Sequence, residues 1–198
     1  ATEAGIVKEI LVVGLARDSK KKLQIEAGSI KINQKQLLTA LEEMGATGKA
    51  DEVIKLPGQT SSLIVLTGLG EADPRSRYRH ETLRRAAGAA SRHLMGKKSA
   101  TFSLPHFDQQ GFAAIAEGAL LGAYSFGQFK GAATSADHLP ALSSITIHST
   151  SVNGAAVKEI LHHAEVMARY TYLVRDLVNT PPSHLTPESF SQRLKRES

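Results

Sequence analysis

Pro181 and Pro182 divide the carboxy-terminal part of the chain into two helices and fix where each begins or ends. Upstream of them, Val157, Ile160, Leu161, Ala164, Met167, Thr171, Val174 and Val178 recur at the three-to-four spacing of a helix with one buried face. Asn153 stands where it can cap that helix. A residue that precedes proline is pushed out of the α region, so the helix ends at about Thr180. Downstream, Thr186 can cap a second helix with Pro187 in its first position, where the missing N–H is no loss. Glu188 then favours the positive end of the helix dipole, and Leu185 and Phe190 occupy the two positions of a hydrophobic staple. This second helix offers only Phe190 and Leu194 as an apolar face before it finishes at Lys195, Arg196, Glu197 and Ser198. Two readings are open: a short terminal helix docked on its own domain, or a helix cut at Ser198 that once continued into a second domain.

Before this turn, strand and helix patterns alternate. Glu9 to Ala16 reads as a strand buried on both faces, followed by a charged loop over Asp18 to Lys22. Leu37, Leu38 and Leu41 lie at helical spacing within Gln34 to Met44, and Gly45 is a plausible stop. Val53–Leu56 and Ser62–Thr67 read as strands around the Pro57-Gly58 turn. Asp73-Pro74 opens a predicted helix to about Met95, with Leu83, Ala86, Ala87, Ala90 and Leu94 on its buried side. A strand over Ala100–Leu104 precedes a helix capped by Asp108 and reaching about Gln128, apolar on more than one side. Gly127–Leu142 is loop-like, and Ser144–Ile147 is a late strand. This order predicts the α/β class: a mixed, mostly parallel sheet flanked by helices and followed by a long helix.

A chain of 198 residues suits one domain, or one domain with an appendage. No cysteine is present, so disulfides and thiolate metal sites are excluded, which fits a reducing compartment. The early apolar run, Ile10 to Ala16, is too short to span a bilayer and lacks a cleavage pattern. The expectation is a cytoplasmic protein with no membrane partner. A net charge of +5 reads as a solvated surface bias before it reads as an affinity for polyanions.

Four groups of residues come near to chemistry. His80-Glu81 begins like a zinc-protease helix, but Arg84 stands where the second histidine belongs, and His162 and His163 point about 100° apart on their helix. Gly68-Leu69-Gly70 follows a strand and precedes a helix, as phosphate loops do, although the third glycine is missing; a tight turn explains it equally. Arg75, Arg77, Arg79, Arg84, Arg85 and Arg92, with Lys97 and Lys98, could track a nucleic-acid backbone. Tyr78 is the only aromatic among them, so stacking on single strands is not expected, and a solvated face or subunit contact competes. Arg175, Asp176 and Asn179 read as residues that hold the proline turn and dock the segment beyond it.

The run Arg175-Asp176-Leu177-Val178-Asn179-Thr180-Pro181-Pro182, with Leu185-Thr186-Pro187, resembles the linker of the leucyl aminopeptidase (M17) family. Glu117-Gly118-Ala119-Leu120-Leu121-Gly122-Ala123-Tyr124-Ser125-Phe126 resembles the end of that family's amino-terminal domain. Gly68-Leu69-Gly70 and Arg84-Arg85-Ala86-Ala87-Gly88 are similar to it less specifically. The resemblance implies a macro-domain-like fold over residues 1–151, an inter-domain linker helix over 152–180 and the start of a catalytic domain over 181–198. It further implies a metalloaminopeptidase that removes amino-terminal residues from peptides, bulky apolar ones preferred, using two zinc or manganese ions, and that assembles as a homohexamer. The family's ligands and its catalytic Lys and Arg belong to the carboxy-terminal domain, so no catalytic, cofactor-binding or metal residue is expected in this chain, which alone should be inactive. The domain's partners would be its own catalytic domain and its neighbours in the hexamer. Macro-like binding of ADP-ribose or a nucleotide at Gly68–Gly70, and nucleic-acid binding by the arginine-rich helix, are the alternatives.

Overall fold

β1 (Ile10–Arg17) is the centre of a six-stranded sheet and is buried along nearly its whole length. The computed structural model describes residues 9–58, 61–73, 75, 77–129 and 139–197; Pro74, Ser198 and residues 130–138 of the predicted Gly127–Leu142 loop lie outside them. β4 (Leu63–Glu71) and β5 (Ser99–Ser103) flank β1 in parallel. Beyond β4, β3 (Val53–Pro57) adds an antiparallel edge; beyond β5, β6 (Ser144–Ile147) adds a parallel one. β2 (Leu23–Glu26) pairs antiparallel with Gly14–Arg17, taking up the β1 edge past the Leu11–Val13 segment that β5 holds. The mixed, mostly parallel sheet predicted from the strand–helix alternation is therefore present.

The twofold alternation of β1 divides the core. Leu11, Val13 and Leu15 join Leu23, Ile25, Leu37, Leu41, Ile64 and Leu66 beneath α1 (Gln34–Glu43), which ends at Gly45 with φ +70° as its glycine suggests. Val12 and Ala16 join Val65, Leu83, Ala87, Phe102, Ile115 and Ala119 beneath α2 (His80–His93) and α3 (Gln109–Gly122). Each fully buried Leu, Ile or Phe contributes about 1.5–3 kcal/mol of transfer free energy, so these two layers carry the fold. α4 (Gly154–Asn179) packs outside α3, and α5 (Pro187–Glu197) follows the proline turn. Asn153 Oδ1 accepts from the Ala156 N–H at 3.0 Å, and Thr180 leaves the helix at ψ 125°, as the two predicted ends require.

Glycine sets how closely α2 and α3 approach. A Cβ on Gly118 would overlap the Arg84 carbonyl, and one on Gly122 would overlap the Gly88 carbonyl. The two helices meet backbone to backbone, which places residues of α2 beside the end of α3 and the flank of α4.

Four features differ from expectation. β2 was not predicted; only four residues long, it comes directly after the lysine-rich turn that Asp18 closes by accepting from the Lys20 and Lys22 N–H groups. α2 begins at His80, not at Asp73, because the Asp73 carboxylate accepts from the N–H groups of Arg75 and Arg77 and holds a turn that competes with helix. Those bonds hold its carboxyl below the usual carboxylate value. α3 stops at Gly122, not near Gln128, where the Ala123 N–H closes a tighter last turn on Leu120. The apolar stripe of α4 buries Ala164 and Ala168, yet Val174 and Val178 are 59% and 79% exposed. The last turns of α4 run past the end of α3, where polar contacts replace the core.

Candidate functional site

The candidate motifs fare differently once placed in space. Gly68-Leu69-Gly70 is no loop. It lies within β4 and forms a β-bulge, the register jumping from Leu15 against Gly68 to Ala16 against Gly70. The extra residue, Leu69, is buried over Gly14, and a Cβ on Gly68 would overlap the Lys49 carbonyl. The Gly68 N–H donates to Glu52 O and the Gly70 N–H to Gly48 O, both at 2.8 Å. The amides a phosphate would need are occupied, and close backbone approach is why glycine stands there.

The histidines do not converge. His80 Nε2 lies 3.2 Å from the Asp108 carboxylate, which also caps α3 by accepting from the Gly111 N–H at 2.6 Å. His162 and His163 are exposed. His106 Nδ1 lies 3.0 Å from the Leu104 carbonyl oxygen and Nε2 lies 2.7 Å from Ser149 Oγ. Among the described residues no three His, Asp or Glu side chains are grouped to hold a metal ion.

The arginines of the Arg75–Arg92 stretch are dispersed rather than aligned. Arg77 stacks on Phe107, 5.1 Å from the ring centre, and Arg79 is the residue before α2. Arg84 bonds Glu117 of α3 at 2.8 and 2.9 Å and Glu81 at 2.5 Å. Burial opposes its charge, but those two carboxylates outweigh burial and raise its pKa. Arg85 pairs with Asp51.

The polar junction that the linker residues build is the site best supported by geometry. Tyr124, just past α3, donates to Asp176 Oδ1 at 2.8 Å and accepts from Asn179 Nδ2 at 3.1 Å. Burial and the Asp176 carboxylate together raise the Tyr124 phenol above its usual pKa, the Asn179 bond opposing them. Arg175 donates to Leu121 O at 3.1 Å with its guanidinium 5.2 Å from the centre of the Tyr124 ring, and Tyr172 reaches Leu120 O. On the other side, Arg193 of α5 donates to Asp176 Oδ2 at 3.3 Å. Asp176 thus joins the end of α3, α4 and α5. Thr186 caps α5 by accepting from the Ser189 N–H at 3.3 Å, while Phe190 and Leu194 remain 41% and 42% exposed. Arg175, Asp176 and Asn179 were legible as turn-holding residues; their partner Tyr124, more than fifty positions away, carried no local signal.

No helix among the described residues is long and apolar enough to cross a membrane. Residues 10–133 match the family description "Cytosol aminopeptidase family, N-terminal domain". The chain is 37% identical over 205 aligned residues to a probable cytosol aminopeptidase of Streptomyces avermitilis, the alignment covering 96% of this chain and 40% of the relative. It is 38% identical over 166 residues to one from Micrococcus luteus, covering 81% and 32%. Among solved structures, a mutant of tomato leucine aminopeptidase superposes with a TM-score of 0.70 at 21% identity, over 99% of this chain and 40% of that one. The bottromycin maturation enzyme BotP, in complex with Mn, gives 0.64 at 20% identity, over 96% and 36%. These structural likenesses carry the fold. The chain spans about 40% of the length of the first curated relatives it matches. With more than half of its residues matched to the family's N-terminal domain, the chain belongs to the cytosol aminopeptidase family.

Proposed function

We propose that this chain is the non-catalytic amino-terminal part of a two-metal aminopeptidase that removes amino-terminal residues, bulky apolar ones preferred, from peptides. The observation that carries this reading is the match to the family's N-terminal domain, in a chain that spans about 40% of its relatives. The metals, zinc or manganese, and the hydrolytic chemistry then belong to the rest of the protein. This part supplies the docking surface for the catalytic domain and contributes to a homohexameric assembly that shapes access to the active sites. Residues 1–151 act as the domain, 152–180 as the linker helix and 181–198 as the entry to the catalytic part. The exposed Val174, Val178, Phe190 and Leu194 lie on the helices either side of the proline turn and give that entry an apolar face to cover. A cytoplasmic location fits the absence of cysteine.

The test compares the 198-residue chain with the protein extended to its relatives' length, on leucine anilide with manganese or zinc present. The expected result is turnover by the longer protein and none by the shorter. Turnover by the purified 198-residue chain itself would overturn the assignment of chemistry to the missing part.

A further inference from the structure

We propose that the groove between α2, α3 and α4 is a binding site for a diphosphate-type oxyanion. The groove has a volume of about 410 Å³, the size of a small-molecule pocket rather than of a track for a polymer. Its floor is the α2–α3 crossing at Gly88, Gly118 and Gly122, where the two helices meet backbone to backbone. Arg84, Arg85 and Arg92 wall one side from α2, and Arg175 reaches in from α4. Positions 85, 88 and 92 keep helical spacing, so Arg85 and Arg92 stand on the same side of α2 as Gly88.

Four arginines and the Asp51 carboxylate line the groove, and of the arginines Arg84 is already paired with Glu81 and Glu117. Arg84 is anchored by Glu117, and Arg175 by the Leu121 carbonyl and the Tyr124 ring, so two forks are held in place before anything binds. The Arg85–Asp51 pair is about half exposed on both sides, the kind of surface pair that contributes little and can exchange for a ligand. Arg92 makes no ion pair among the described residues. Guanidinium forks match phosphate oxygens two at a time, and a group carrying several negative charges on tetrahedral centres satisfies the forks of Arg85, Arg92 and Arg175 better than one planar carboxylate does. Arg77, before the start of α2, is engaged on Phe107 instead. A bound diphosphate would bridge α2 to α4 beside the Asp176 junction. The inference is independent of the peptidase reading.

Calorimetric titration of the 198-residue chain with pyrophosphate at low ionic strength, and with inorganic phosphate for comparison, tests this. The expected result is saturable one-site binding, with pyrophosphate about tenfold or more tighter than phosphate, the worth of one further charge-assisted contact. Arg92→Gln should weaken pyrophosphate by about tenfold. Lys97→Gln, which removes the same charge outside the groove, should leave it unchanged. Both residues are exposed, so both variants should fold, which the midpoint of thermal unfolding confirms. Pyrophosphate at a fixed saturating concentration should also raise that midpoint in the parent chain, and raise it less in Arg92→Gln. Titration without saturation, or equal loss from the two substitutions, would overturn the proposal by showing a general response to a basic surface.

Discussion

The Tyr124 hydroxyl donates to the Asp176 carboxylate at 2.8 Å across the gap between the end of α3 and the last turns of α4. Asp176 receives Arg193 of α5 on its other oxygen, so one carboxylate links the domain, the long helix and the segment past the proline turn. Tyr124→Phe removes the bond and leaves a charge-assisted acceptor short of a partner, an expected cost of about 1.5–3 kcal/mol. Because Asp176 and Tyr124 act as a unit, Tyr124→Phe and Asp176→Asn should together cost less than the sum of their separate effects. Urea unfolding of the two single variants and the double variant measures this, and strict additivity would mean that the bond contributes nothing.

The α2–α3 crossing depends on glycine, and the dependence is local. Gly118→Ala places a methyl group against the Arg84 carbonyl, where backbone rather than a flexible side chain must give way, so a loss of about 1–3 kcal/mol is expected. Gly154→Ala meets nothing within 4 Å and starts a helix, so stability should hold or rise by up to about 1 kcal/mol. Thermal unfolding of the two variants side by side separates a packing requirement from a general preference for alanine in helices.

Tyr78 supplies a pH dependence. Its ring is buried, and its hydroxyl donates to Glu26 Oε1 at 3.2 Å. Burial first, then the Glu26 charge, push the phenol well above its ordinary value of 10.0. The folded state therefore keeps its proton where the unfolded chain loses it. The stability linked to this group is complete below pH 10.0 and falls as pH rises beyond it, by at most about 1.4 kcal/mol per pH unit. Tyr78→Phe should reduce the slope by the share due to Tyr78, leaving the smaller share of Tyr124 and Tyr172, whose phenols are also raised. Denaturant unfolding of both proteins at about pH 8 and about pH 11 checks the sign, and an unchanged slope in the variant would assign it to other groups.

Much of this fold was legible in the pattern of residues. β1, β6, α1 and the ends of α4 are set by apolar runs, caps and prolines, because those signals act over one or two turns. The features that could not be read were set by distant partners. Asp73 looked like a helix cap, but its carboxylate serves a turn instead. Gly68 and Gly70 looked like a phosphate loop, yet the pressure on them comes from the Lys49 carbonyl and the Gly48–Glu52 segment in space. Val174 and Val178 fit the helical stripe, but nothing in their spacing says that α3 ends before it can cover them. Tyr124 and Asp176 lie 52 positions apart, as do Leu120 and Tyr172, so the junction forms only when α4 folds back on α3.

The most direct test of the proposal that this is one part of a larger peptidase is the intact mass of the protein expressed from its own gene. A mass well above 21.2 kDa is predicted, because the chain spans about 40% of its relatives and the catalytic chemistry is placed in the remainder. A mass of 21.2 kDa from a gene that stops at Ser198 would contradict it, and would leave a domain that works by binding alone.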